Sequence, residues 1–218
     1  FGYQIKVGEA IGGFSLCDWY VNDIPEDNIV SLQEEVESLQ LENQIFSDSI
    51  AVLNSDPLIQ VGDLIENGIV FYIDETGHNG LVAAQEDLEG FYDWGCFNEY
   101  VDGADSEWIG SGLSNTIDIT NQGCQAYNGG VTSAQAAIDT EIYGHSDWYL
   151  PSQGELYQMY ITIGQGSENG NIGGFSNDWY WSSSESNNTL AWYVSFANGD
   201  AHGNYKASTG RVRVIRAF

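Results

Sequence analysis

The sequence predicts an α+β protein, in which a helical segment precedes a domain of short strands and inserted helices. Near the C-terminus, large aromatic residues alternate with small polar ones at residues 179–185 and 191–196. This period of two places one face of a strand in a core. Over residues 29–53, apolar residues recur at alternate spacings of three and four, which is the heptad period of a coiled coil.

Residues 1–28 are predicted to form an extended segment that takes part in assembly. Tyr3, Ile5 and Val7 alternate with polar residues, which is typical of a short strand. Because a single strand is not stable alone, we expect it to pair with the C-terminal domain or with another subunit.

Residues 29–54 are predicted to form a coiled-coil helix that joins copies of the chain. Asp27 or Asn28 would cap its start, and Pro57 follows its end. The alternative is one amphipathic helix packed on its own domain. Asn43 lies on the seam, where a polar residue lowers stability but fixes register and oligomer state. The predicted oligomerisation seam comprises Ile29, Leu32, Val36, Leu39, Asn43, Phe46, Ile50 and Leu53.

A second apolar stripe lies off this seam, at Leu41, Ile45 and Val52. It indicates a contact besides that with a two-stranded partner, either with a third helix or with the globular domain.

Residues 58–218 are predicted to form one domain, which at about 160 residues can bury its own core. Residues 68–74 and 80–84 should form a hairpin, and residues 132–142 have helical spacing. Ser152 and Glu155 fit a capping box that opens a further helix. Other strands are expected at residues 148–150, 179–185, 191–196 and 211–218.

The polar segment at residues 197–210 is predicted to form turns and exposed surface, because Asn, Gly, Ser and Thr dominate it. A rigid aromatic frame that displays adaptable polar groups has the layout of a recognition site. Trp148, Trp181 and Trp192 are expected in that frame as core residues. The alternative for the segment is an ordinary solvated loop. The predicted ligand-binding surface comprises Asn177, Asp178, Asn187, Asn188, Asp200, His202, Asn204 and Tyr205.

The charge of the chain is strongly acidic and unevenly distributed. It carries 32 acidic residues against five Lys and Arg, and residues 7–205 contain no Lys or Arg. This composition argues against binding to nucleic acid or anionic membranes, both of which need basic side chains. It indicates a solvated acidic surface or, alternatively, divalent-cation binding. Arg211, Arg213 and Arg216 are expected to pair with carboxylates, an anion site being the alternative.

No run of 18 apolar residues is present, so membrane insertion is not expected. The chain begins at Phe1 without a charged-then-apolar leader, which predicts a mature or trimmed product.

Catalytic and cofactor motifs are missing from the sequence. There is no Gly-x-Ser-x-Gly, phosphate-binding loop, His-Glu-x-x-His or Cys-x-x-Cys, and His78, His145 and His202 lie in unrelated contexts. We therefore expect no enzymatic activity and no cofactor. Calcium remains a candidate ligand, because Asp178 and Asp200 supply oxygen atoms, as does a second acidic group at Asp102, Asp105 and Glu107.

Several separated motifs resemble one known family. They include residues 147–156, Trp181-Ser-Ser-Ser-Glu185, Lys206 and residues 212–218, with Trp94-Gly-Cys96 and Cys124 upstream. In this order they are similar to the C-terminal domain of a bacterial collagen-like adhesin, the Lcl C-terminal type, over residues 58–218. The resemblance implies a C-type-lectin-like fold without catalysis and a Cys96–Cys124 disulfide. Cys17 is then left free and buried, or paired between chains.

Together these features predict a secreted protein of the cell surface or of a virion. It would be a subunit of a bacterial filament or phage fibre that assembles with itself through residues 1–54. Its lectin-like domain would bind a cell-surface glycan or protein. The alternative is a soluble lectin-like glycan-binding module with no polymeric role.

Overall fold

The computed structural model describes residues 26–53 and 58–218. The chain divides into two compact units, Phe1–Pro57 and Leu58–Phe218, and each is considered by itself. The strand predicted within residues 1–28 and Cys17 lie outside the described residues. Within the described part, no helix is long and apolar enough to span a membrane.

The described part of the first unit is a long helix, α1, over Glu26–Leu53. Several residues of its apolar seam are exposed to solvent in the single chain: Leu32, Val36 and Leu39 each expose about half of their surface, and Phe46 exposes 69%. A lone helix in water is marginal, because most helix stability in proteins comes from packing an apolar face. Within the described residues, this helix therefore has an apolar face without cover.

The second unit has nine short strands and three helices, and its sheets are antiparallel. One sheet has the order β1-β2-β3-β9, a second pairs β4 with β8, and a third has the order β5-β6-β7. This architecture confirms the predicted α+β class. The elements are β1 (Leu64–Ile65), β2 (Gly68–Ile73), β3 (Gly80–Ala84), β4 (Tyr92–Asp93), α2 (Gly112–Asn121), α3 (Ser133–Ile138), α4 (Gln153–Thr162), β5 (Trp179–Glu185), β6 (Leu190–Ser195), β7 (Ala201–Tyr205), β8 (Thr209–Gly210) and β9 (Ile215–Ala217).

The predicted hairpin forms between β2 and β3. Asp74 closes the turn by accepting hydrogen bonds from the backbone N–H and hydroxyl of Thr76, at 3.0 and 2.5 Å. Gly80 is required where β3 begins, because a Cβ there would lie 2.2 Å from the carbonyl oxygen of Tyr72.

The helices agree with the sequence prediction in part. Ser152 and Glu155 form the predicted capping box at the start of α4. The helix predicted over residues 132–142 is capped by Thr132 but ends at Ile138. It ends early because the N–H of Thr140 bonds to the carbonyl of Ala137 and the chain then turns. Helix α2 was not predicted from the sequence.

The predicted strand at residues 211–218 is too long, because the chain crosses between two sheets there. The backbone of Arg211 bonds to Trp179 and Trp181 beside β5, whereas β9 pairs with β3 four residues later. The strand predicted at residues 148–150 is only a bridge from Tyr149 to Ile215.

The segment at residues 197–210 was predicted to consist of turns, but it contains strands β7 and β8. Gly199, with φ +80°, allows the chain to reverse after β6, and β7 then pairs with β6 along its whole length. Polar composition misled the prediction because an edge strand can carry polar residues on its open side.

Two hydrophobic clusters support the domain. One contains Trp94, Trp148 and Trp181, together with Cys96, and the other lies around Phe71 and Phe196. The predicted disulfide is present, with the Cα atoms of Cys96 and Cys124 4.7 Å apart. Unlike Trp148 and Trp181, Trp192 is only half-buried. Its partner across the strands is Gly203, which has no side chain to cover it.

Candidate functional site

Strand β7 forms the open edge of the three-stranded sheet and carries three of the predicted ligand-binding residues. In the β6–β7 register, Tyr193 pairs with His202 and Leu190 pairs with Tyr205. His202 and Tyr205 are exposed, whereas Asn204 is half-buried. An edge strand offers both its side chains and its unpaired backbone groups to a ligand.

At one end of β7, an aromatic stack consists of Trp179, Tyr193 and His202. The rings of Trp179 and Tyr193 lie 4.1 Å apart and nearly parallel, at 19°, and His202 lies 5.7 Å from Trp179. Burial raises the pKa of the Tyr193 hydroxyl. Because the first two rings are half-buried and mutually packed, they hold His202 against a rigid surface.

At the other end of β7, a tyrosine cluster consists of Tyr205, Phe97 and Tyr127. Phe97 makes edge contacts with Tyr127 at 5.5 Å and with Tyr205 at 6.3 Å. Tyr205 and Tyr127 expose 60% and 68% of their surface. Phe97 and Tyr127 line a shallow pocket of about 250 Å³ next to Cys96.

Phe97 and Tyr127 were not among the residues predicted from the sequence. Their proximity to Cys96 and Cys124 was the available signal, because a disulfide between those cysteines brings the residues beside them together.

Two of the predicted residues serve the domain's own structure. The Asp178 carboxylate pairs with Arg211 at 3.0 Å and accepts the N–H of Trp179. The Asn187 side chain closes its own turn by accepting hydrogen bonds from Thr189 and Leu190. Both side chains are therefore engaged within the domain, and their role as ligand contacts stays a prediction.

The other predicted residues are divided between the two ends of the sheet. Asn177 accepts a hydrogen bond from Gln165, and Asp200 binds the amide of Asn198 in the turn before β7. Asn188 is half-buried in the turn before β6, near Tyr205. Because successive side chains of a strand point to opposite faces of the sheet, His202 and Tyr205 lie on opposite faces of β7. The predicted surface therefore consists of two patches rather than one.

A buried ion pair anchors the end of β7. Lys206 is fully buried and donates hydrogen bonds to the Glu185 carboxylate and, at 2.7 Å, to the carbonyl of Glu99. Its ammonium lies 4.6 Å from the centre of the Trp94 ring. Burial lowers the pKa of Lys206, whereas the Glu185 carboxylate raises it and so opposes this effect. The pair ties β7 to β5 and to the loop that contains Phe97.

The three C-terminal arginines pair with carboxylates, as expected. Arg213 is buried and contacts Asp87 at 2.7 Å, and Arg211 contacts the same carboxylate at 3.4 Å. Arg216 pairs with Asp147 at 2.8 Å and also with Glu66. These contacts hold the last residues of the chain in place and occupy the guanidinium groups.

A second cavity, of about 550 Å³, lies beside Trp108, whose side chain is 81% exposed. Asp105 and Glu107 line it. However, among residues 26–53 and 58–218 no group of three or more His, Cys, Asp or Glu side chains could hold a metal ion. The acidic group predicted at Asp102, Asp105 and Glu107 therefore does not gather into a metal site.

Among the described residues, the most deeply buried carboxyl group is that of Glu155. Burial raises its pKa, a property often found in catalytic acids. Its oxygens instead accept the N–H groups of Gly110 at 2.8 Å and Ser152 at 2.7 Å. These bonds oppose the rise in pKa, and they cap α4 and fix the adjacent loop.

Comparisons with known proteins agree with the resemblance over a shorter range. The family model described as the Lcl C-terminal domain matches residues 103–216. A fimbrial protein from Bacteroides ovatus ATCC 8483 is similar in structure, with 15% sequence identity and a TM-score of 0.48 over 72% of this chain and 48% of that chain. The chain thus spans about half the length of that protein. No curated protein matches significantly. Since the family model covers just over half of the 218 residues, the chain belongs to the Lcl C-terminal domain family.

Proposed function

We propose that this protein is a non-enzymatic, extracellular adhesion protein of a cell surface or virion. Its C-terminal unit would be a C-type-lectin-like domain that recognises a glycan or protein, and α1 would form a coiled coil with other copies. The exposed β7 edge, with an aromatic group at each end, is the observation that carries the recognition part. Membership of an adhesin-derived family supports the surface location.

The physical character of the β7 edge supports recognition. Aromatic side chains supply large contact areas at low cost in conformational entropy, and those of His202 and Tyr205 rest on packed rings. The strand beneath them is fixed at Lys206 by hydrogen bonds to two other segments. A ligand would therefore meet a largely preformed surface, which reduces the entropy lost on binding.

The charge of the domain narrows the class of ligand. Between residues 58 and 218 the only basic side chains apart from histidine are Lys206, Arg211, Arg213 and Arg216, and each is held in an ion pair. A surface with many carboxylates and no free Lys or Arg in this unit would repel polyanions. We therefore propose neutral glycans, or protein surfaces with neutral or basic groups, as ligands.

The experiment compares adhesion to the natural target cells across variants of the full chain. His202→Ala and Tyr205→Ala each remove one exposed aromatic group and should reduce adhesion at least tenfold when combined, with unchanged circular dichroism. Tyr143→Ala is the matched control, because Tyr143 is 70% exposed but lies outside β7. Trp108→Ala tests the other cavity. Unchanged adhesion in the double variant, or loss only with Trp108→Ala, would refute the β7 proposal.

The second candidate is a soluble lectin-like module in which α1 is only a tether. The separate compactness of Leu58–Phe218 favours it. Light scattering of the full chain and of residues 58–218 distinguishes the two. A larger assembly for the full chain alone supports the assembly role, whereas monomers for both at micromolar concentration would leave only the module.

A further inference from the structure

The residue types and charges along the α1 seam indicate which partner this helix binds. We infer that α1 binds a second copy of itself as a parallel, in-register, two-stranded coiled coil. This inference rests on the proposed assembly role and adds the number of strands, their direction and their register. Seam residues such as Leu32, Val36 and Phe46 are exposed in the single chain, so they are available for such a contact.

The residue types on the seam favour two strands. In the heptad, the a positions are Ile29, Val36, Asn43 and Ile50, and the d positions are Leu32, Leu39, Phe46 and Leu53. β-branched residues at a with leucine at d are the combination that favours parallel dimers. Isoleucine at both positions, or leucine at a with isoleucine at d, would favour three or four strands.

The position of Asn43 favours the parallel direction. In a parallel, in-register pair, the a residues face each other, so the two Asn43 amides can hydrogen-bond across the seam. In an antiparallel pair of full overlap, a faces d, and Asn43 would lie against Leu39 of the other helix. A buried amide without a partner is costly, so this arrangement is disfavoured.

The charges beside the seam also favour the parallel direction. Glu35 and Glu42 occupy the g positions, whereas the e positions hold the neutral Gln33, Gln40 and Ser47. In a parallel pair each g residue lies near an e residue of the next heptad of the other helix, so Glu35 would meet Gln40 and Glu42 would meet Ser47. In the antiparallel pair g meets g, which brings the two Glu42 side chains together.

The second stripe, with Leu41 and Ile45, does not argue for a third strand. These residues occupy the f and c positions, which face away from the axis in two-stranded and three-stranded coils alike. The number of strands is therefore determined by the a and d residues. In a parallel pair both helices end together at residue 53, so both C-terminal domains are attached at the same end.

Site-specific disulfides in the full chain test the direction, with Cys17→Ser in every variant so that Cys17 cannot take part in crosslinking. Leu32→Cys should oxidise to a disulfide that joins position 32 of one copy to position 32 of the other. Val30→Cys, at an outward b position, is the control that should crosslink at least tenfold less. When Leu32→Cys chains are mixed with Ile50→Cys chains, peptide mass spectrometry should find only same-position disulfides. A disulfide between positions 32 and 50 would show antiparallel pairing and overturn the inference.

Sedimentation equilibrium tests the strand number and the role of Asn43. The full chain should have twice its mass of 24.0 kDa, and added salt should tighten association, because α1 carries seven carboxylates and no Lys or Arg. Asn43→Val should associate on the order of tenfold more tightly and populate trimers. A trimeric wild-type protein would overturn this inference but not the proposed assembly role. A monomeric wild-type protein would overturn both. Loss of adhesion in the β7 variants is independent of both results.

Discussion

The buried ion pair below β7 gives the sharpest prediction about stability. Lys206→Met keeps a long, unbranched side chain of similar volume but removes the ammonium group. Glu185 is only 4% exposed at its side chain, and its carboxylate would then lie in the core without a cation. The hydrogen bond from the N–H of Val101, at 2.9 Å, remains, but it does not neutralise the charge.

The expected cost follows from this uncompensated charge. Removing one partner of a buried ion pair costs about 3–5 kcal/mol, mostly because the other charge stays buried. The carbonyl of Glu99 also loses its donor, but that residue is exposed and water can replace it. The double variant Lys206→Met/Glu185→Gln removes the charge and keeps an oxygen for the Val101 N–H. It should therefore recover about 2 kcal/mol of the loss.

Urea unfolding followed by tryptophan fluorescence measures both effects, since six of the seven tryptophans lie between residues 94 and 192. Arg211→Met is the control. Its side chain is 27% exposed and its partner Asp178 is 37% exposed, so its loss should cost no more than about 1 kcal/mol. The reasoning is refuted if Lys206→Met costs as little as the control, or if the double variant is no more stable than the single one.

Two further predictions concern other fixed points of the domain. Replacing Cys96 and Cys124 with alanine should lower the free energy of unfolding by about 3.5 kcal/mol, since the disulfide closes a loop with a sequence separation of 28. A loss below about 1 kcal/mol in urea unfolding would contradict this prediction. The pKa of Asp147 is lowered, chiefly by the hydrogen bond from Arg216, so this pair stabilises the fold above the ordinary aspartate pKa and ceases to do so as pH falls through the lowered value. Asp147→Asn should accordingly cost at most about 1 kcal/mol at pH 7, given the exposed carboxylate, and this cost should shrink as pH falls through the lowered pKa. A cost that stays constant into acid would assign the effect to packing instead.

The sequence predicted those elements whose signal is local. The turn chemistry of the β2–β3 hairpin and the Ser152–Glu155 capping box depend on residues a few positions apart, and both are present. By contrast, α2 contains Gly112 and four Thr or Asn residues with low helix propensity. It forms because distant groups hold it: Thr116, for example, bonds to Leu150, 34 residues away. Such contacts override local propensity and leave no trace in a short window.

The candidate site was predicted in composition but not in arrangement. His202 and Tyr205 were identified from a polar, aromatic segment, yet their neighbours Trp179 and Phe97 come from β5 and from the disulfide loop. Asp178 and Asn187 belong to the predicted ligand-binding surface because polar residues that are expected to be exposed resemble ligand contacts. Only the pairing of Asp178 with Arg211, 33 residues away, reveals that the Asp178 carboxylate is engaged in an ion pair within the domain.

The few basic residues connect the stability of this domain with its proposed recognition function. Lys206, Arg211, Arg213 and Arg216 all bind carboxylates within the domain, so the groups that could attract an anion are used to fix β7 and the C-terminus. The same ion pairs that make the β7 edge rigid thus leave its surroundings acidic. Selectivity would then arise from two sources: aromatic contacts attract neutral rings or basic groups, and the surrounding carboxylates repel sulfated or phosphorylated ones. Because the repulsion is screened by salt while the aromatic contacts are not, discrimination against anionic glycans should weaken as ionic strength rises.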